Sequence, residues 1–137
     1  MLGPGTLRLL DDLSDRAEQA FPEGGLLYKY TEASRRARIR FPNEFRTDST
    51  DKLTESDLER VAVFICNTEG RLGVAKPDPG SVALASQLMT NLYADLEPSV
   101  VGVTVDDDSG HSWGISIHLL RDRDHRYSCL ELWASID

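Results

Sequence analysis

The stretch from Ser99 to Ile136 constrains this chain more than any other. It reads SVVGVTVDDDSGHSWGISIHLLRDRDHRYSCLELWASI: three β-branched, apolar or aromatic runs divided by two polar clusters, Asp106 to Ser112 and Arg121 to Arg126. Runs of that length, with turn-forming residues between them, specify an antiparallel meander.

Alternation then assigns the faces of those strands. Trp113, Ile115, Ile117 and Leu119 share one side, and Gly114, Ser116, His118 and Leu120 the other. In the last run Leu130, Leu132 and Ile136 oppose Tyr127, Cys129, Glu131 and Trp133. Burying Glu131 unpaired is costly, so Leu130 and Leu132 take the core. The outer face then collects Ser116, His118, Tyr127, Cys129, Glu131 and Trp133, an unusual set for a solvated surface.

Upstream, Leu7, Leu10, Leu13, Ala17 and Phe21 recur at helical spacing from Thr6 to Phe21, with Thr6 as N-cap and Pro22 as terminator. After Glu23, Gly24 and Gly25 the period changes to two. Leu26 to Tyr30 and Ala37 to Phe41 read as a hairpin turning near Glu32 to Ser34, and Pro42 to Lys52 as an exposed loop. Thr54 and Asp57 resemble a short helix start. Val61 to Cys66 is β-rich and runs into Asn67 to Gly70, which favours a second hairpin returning through Leu72 and Val74. The competing reading is one helix from Glu55 to Asn67, because Leu58, Val61, Ala62 and Ile65 also fit helical spacing. Asp78 and Pro79 open a further helix, with Val82, Ala85, Leu88, Met89, Leu92 and Leu96 as its buried stripe and Pro98 beyond its end.

The expected order is α-β-β-β-β-α-β-β-β, folded as a single α+β domain. Its architecture is a two-layer sandwich, an antiparallel sheet with two helices packed on one face. At 137 residues the chain can bury a core without staples.

Charge and composition narrow the function classes. A net charge of -8 argues against tight non-specific binding to nucleic acid or anionic membranes, and suits a basic partner. Cys66 and Cys129 lack any CxxC spacing and, with three scattered His, supply no zinc set. Asp106 to Asp108 lie in a turn that matches no calcium-loop pattern. The chain carries no phosphate loop, dinucleotide fingerprint or nucleophile elbow, so neither cofactor nor metal is expected. The start, MLGPGTLRLLDDL, does not have the build of a secretory signal, and no run approaches a membrane span. A cytoplasmic protein is the default.

Three functional readings remain. The first is a small acidic binding module that covers a partner's surface through Tyr127, Trp133, His118 and Glu131; immunity proteins, antitoxins and dedicated chaperones offer the analogy, and a homodimer through the same face is equally open. The second is an anion or nucleic-acid binder using the ridge at Arg35, Arg36, Arg38 and Arg40, of which alternation puts Arg36, Arg38 and Arg40 on one face. The third is a small enzyme centred on His118, Cys129 and Glu131.

Overall fold

The computed structural model describes residues 1–33, 55–70, 76–107, 112–124 and 126–136. The architecture is mixed α+β. Helix α1 spans Pro4–Ala20, strand β1 Gly25–Ala33, helix α2 Glu55–Thr68, helix α3 Pro79–Leu96, and strands β2, β3 and β4 Val100–Asp107, Ser112–Arg121 and Arg126–Ser135. A single 3-10 turn, Asp122–Asp124, joins β3 to β4.

The three C-terminal runs form the expected meander, and β1 closes it on the far side, giving an antiparallel sheet of order β1-β4-β3-β2. One core cluster holds the layers together. The sheet contributes Leu26, Val101, Val103, Ile115, Ile117, Leu119, Leu130, Leu132 and Ala134 to it, all from one face, and the helices contribute Leu10, Leu13, Val61, Ile65, Leu88 and Leu92 among others. Helix α1 lies along β1, α2 lies over β2 and β3, and α3 packs on α2 and α1.

Helix α3 follows its sequence signals closely. Asp78 is the N-cap, Pro79 stands in the first turn, and Ala85, Leu88, Met89, Leu92 and Leu96 are buried. The Asp78 carboxylate does not cap the backbone; it accepts hydrogen bonds from Ser81 Oγ at 2.7 Å and Cys66 Sγ at 3.1 Å. The cap thus ties α3 to the end of α2.

Helix α1 begins earlier than expected. Gly3 is its N-cap and Pro4 opens it, while Thr6 lies inside the first turn, buried, and donates its hydroxyl to Asp95 near the end of α3. Leu7, placed in the apolar stripe by spacing, is exposed. Phe21 follows the helix and meets Trp113 edge-on, with ring centroids 6.0 Å apart.

The second hairpin is not formed at Val61 to Cys66, which belong to α2. The helical spacing of Val61, Ala62 and Ile65 decides the matter, because it buries all three against the core together with Phe64. β-propensity is a weak preference that packing overrides. Gly70 adopts a left-handed φ of 90° and donates its N–H to the Asn67 carbonyl, so it ends a helix where a hairpin turn was expected. Among the described residues the helices therefore number three, one more than the sequence suggested. The return strand at Leu72 and Val74, the strand from Ala37 to Phe41 and the loop from Pro42 to Lys52 lie outside the described residues. Strand β1 itself runs on through Glu32 and Ala33, paired with Ser128 and Tyr127, where a turn was expected. Among the described residues no helix is long and apolar enough to cross a membrane.

Candidate binding face

With the described helices on one side, the other side of the sheet is defined by register. Strand β3 pairs Gly114 with Trp133, Ser116 with Glu131, His118 with Cys129 and Leu120 with Tyr127. Strand β2 adds Gly102 opposite His118 and Thr104 opposite Ser116. Strand β1 adds Leu27 opposite Trp133, Lys29 opposite Glu131 and Thr31 opposite Cys129. Directly opposed residues share a face, so all six residues expected on the outer face are brought together.

Exposure on that face is uneven. His118 is 9% exposed, Cys129 8% and Ser116 7%, so the centre is shielded. Trp133, Glu131 and Tyr127 are half-buried. Leu27, at the β1 rim, is 78% exposed. The sequence reading missed Leu27, because Leu26 and Leu27 are locally indistinguishable and only the pairing of β1 with β4 sets one inward and the other outward beside Trp133.

A hydrogen-bonded chain crosses the shielded centre. His118 Nε2 lies 3.0 Å from Thr104 Oγ1, and its Nδ1 lies 2.6 Å from the Tyr127 hydroxyl. Each hydroxyl can donate or accept, so either neutral tautomer satisfies both ring nitrogens. The imidazole and phenol rings are nearly parallel, 18° apart in plane. Burial, and next the neighbouring Cys129 and Glu131, push the Tyr127 phenol above its usual ionisation range. Tyr127 is thus a neutral group hydrogen-bonded to both His118 and Cys129.

Both ring nitrogens of His118 are thus within hydrogen-bond reach of hydroxyls, those of Thr104 and Tyr127. The Arg35 to Arg40 ridge, including Arg36, Arg38 and Arg40, lies outside the described residues. Among the described residues no group of three or more His, Cys, Asp or Glu side chains is placed to hold a metal ion.

A second polar cluster sits at the opposite end of β1 and β4, on the helical side. The Tyr30 hydroxyl lies 3.2 Å from Ser128 Oγ and donates to Glu32, which also receives the Met1 ammonium. The ammonium, followed by the Tyr30 hydroxyl, holds the Glu32 carboxyl below its ordinary range. The cluster fastens the start of the chain to β1.

Scans of protein-family models, of curated proteins and of solved structures found no match to this chain.

Proposed function

We propose that this protein is a small acidic binding module that covers a protein partner with the outer face of its sheet. The observation that carries the reading is the pairing of Leu27 with Trp133: a leucine 78% exposed lies directly across from an indole on the face that no described helix covers. An aromatic anchor beside exposed aliphatic surface is the composition that concentrates binding energy in an interface. Lys29 and Glu131 stand next to that pair and supply a polar rim. His118 acts from behind, holding Tyr127, so Trp133, Leu27 and Glu131 make the contact. The net charge of -8 directs the module toward a basic partner and speeds encounter with it.

The test is affinity capture from the native cell on tagged protein, with and without nuclease, read by quantitative mass spectrometry. A stoichiometric protein retained by the wild type and lost from a Leu27→Ala, Trp133→Ala variant supports the reading. Capture of nucleic acid alone, or retention indifferent to both substitutions, refutes it.

A further inference from the structure

Strand β1 ends the sheet, with β4 as its one paired neighbour among the described residues. Their register runs unbroken from Gly25 to Ala33, with no bulge or proline to turn a further strand away. An edge strand directs alternate N–H and C=O groups away from the sheet, where an added strand can take them up. The two ends of this sheet differ. At β2, Val100, Val101 and Val103 are buried. In β1, Leu27, Lys29 and Thr31 on the outer face and Tyr28 and Glu32 on the helical face are all exposed. A strand with neighbours on both sides has a different profile: beyond Arg126, β4 has no exposed residue.

Helix α1 supplies the charge that selects an occupant for this edge. It runs antiparallel to β1: the Met1 ammonium meets Glu32, Ser14 Oγ donates to the Leu26 carbonyl at 3.1 Å, and Glu18 Cγ lies 3.5 Å from a Cβ built on Gly25. Leu7, Asp11, Ser14 and Glu18 recur at helical spacing, so one stripe of α1 follows the strand. Asp11 and Glu18 are exposed and have no cation partner among the described residues, whereas Asp12, off the stripe, is paired with Arg16. Exposed apolar surface gathers in the same place. Of the large hydrophobics exposed among the described residues, Met1, Leu7, Leu27 and Tyr28 lie along α1 and β1, and only Val105 lies elsewhere.

We propose that the β1 edge takes up an extended segment of the partner as an added strand, one whose side chains alternate between basic and apolar. Its backbone bonds to β1. Its basic side chains lie on the helical face, their stems over Leu7 and Tyr28 and their charges toward Asp11 and Glu18. Its apolar side chains continue the Leu27 and Trp133 surface on the outer face. This rests on the reading that the sheet covers a protein partner, and it names the part of the partner that is held. A second copy of the chain is the poorer occupant, because it sets the same acidic stripe and a charge of -8 against itself.

The experiment is a titration of ¹⁵N-labelled protein with the peptide acetyl-Lys-Val-Lys-Val-Lys-Val-Lys-amide, read by amide hydrogen exchange and native mass. Alternate amides between Leu27 and Glu32 should become protected saturably, while those of β2 do not change. The same peptide N-methylated at every residue keeps its charges and loses its N–H groups, so it should bind at least about ten-fold more weakly. Asp11→Asn with Glu18→Gln, both on the surface, should weaken the unmodified peptide about three-fold or more. Absence of protection in β1, equal protection of β2, binding undiminished by N-methylation or by the double variant, or a dimer of the protein that the peptide dissociates would each overturn the proposal. Protection of β1 by the peptide, with partner capture indifferent to Leu27→Ala and Trp133→Ala, would uphold the edge and refute the wider face; the reverse pattern would refute the edge alone.

Discussion

The indole of Trp133 lies over the backbone of Gly114. A Cβ built on Gly114 would fall 2.7 Å from Cδ2 and Cε3 of that ring and 3.0 Å from the Leu132 carbonyl oxygen. The glycine is therefore what seats the tryptophan flat on β3. Gly114→Ala should cost about 1–3 kcal/mol, the usual penalty for forcing a methyl into filled space. Urea denaturation checks this, and adding Trp133→Ala should recover part of the loss. Additive losses would show that the ring is not the obstacle.

The hydroxyls on either side of His118 make a second test. Tyr127→Phe keeps the ring and removes the group 2.6 Å from Nδ1. The expected loss is about 1–3 kcal/mol, because a buried acceptor or donor is left without its partner. Thr104→Val removes the bond to Nε2. A double-mutant cycle should show coupling between the two substitutions, and strict additivity would mean that the imidazole does not link them. Ultraviolet titration of Tyr127→Phe against wild type should lose a phenol that ionises above the normal range.

Acid stability should depend on the end of β3. The Arg121 guanidinium, 2.6 Å away, together with the Arg126 backbone N–H, lowers the Asp124 carboxyl from 3.8 to about 2. A carboxyl depressed by folding stabilises the native state above its unfolded value, and that contribution disappears as pH falls through the folded value. Stability of the wild type relative to Asp124→Asn should thus be constant above about pH 5 and shrink between about pH 5 and 2. A difference that is flat with pH would mean that the pair does not persist in solution.

Both thiols should be inert in the native protein. Cys66 is fully buried and bonded to Asp78 and Ser81, and Cys129 is 8% exposed beneath the outer face. A thiol probe should react slowly with each and rapidly after denaturation. Rapid native alkylation of Cys129, followed with a Cys66→Ala variant, would revive the reading of His118, Cys129 and Glu131 as an enzyme centre.

The parts of the fold legible in the sequence were those specified by local chemistry. Asp78 and Pro79 mark the start of α3 because capping and a fixed φ act within one turn. The faces of β3 and β4 follow from alternation alone, which is why Ser116, His118, Tyr127, Cys129, Glu131 and Trp133 group together in the sequence as they do in the sheet. Val61 to Cys66 satisfied two patterns at once, and only burial against the rest of the core selects the helix. Strand β1 pairs with β4 at the far end of the chain, so the contact that defines the proposed face, Leu27 with Trp133, had no local signature.

The most direct test of the account is partner retention by single variants of the outer face. Wild type, Trp133→Ala and Leu27→Ala are each used to capture protein from the native cell, with folding verified by circular dichroism. Anchors of this kind contribute about 2 kcal/mol or more, so each variant should retain less than about one-tenth of the partner held by wild type near its dissociation constant. Retention equal to wild type by both folded variants would contradict the assignment of this face.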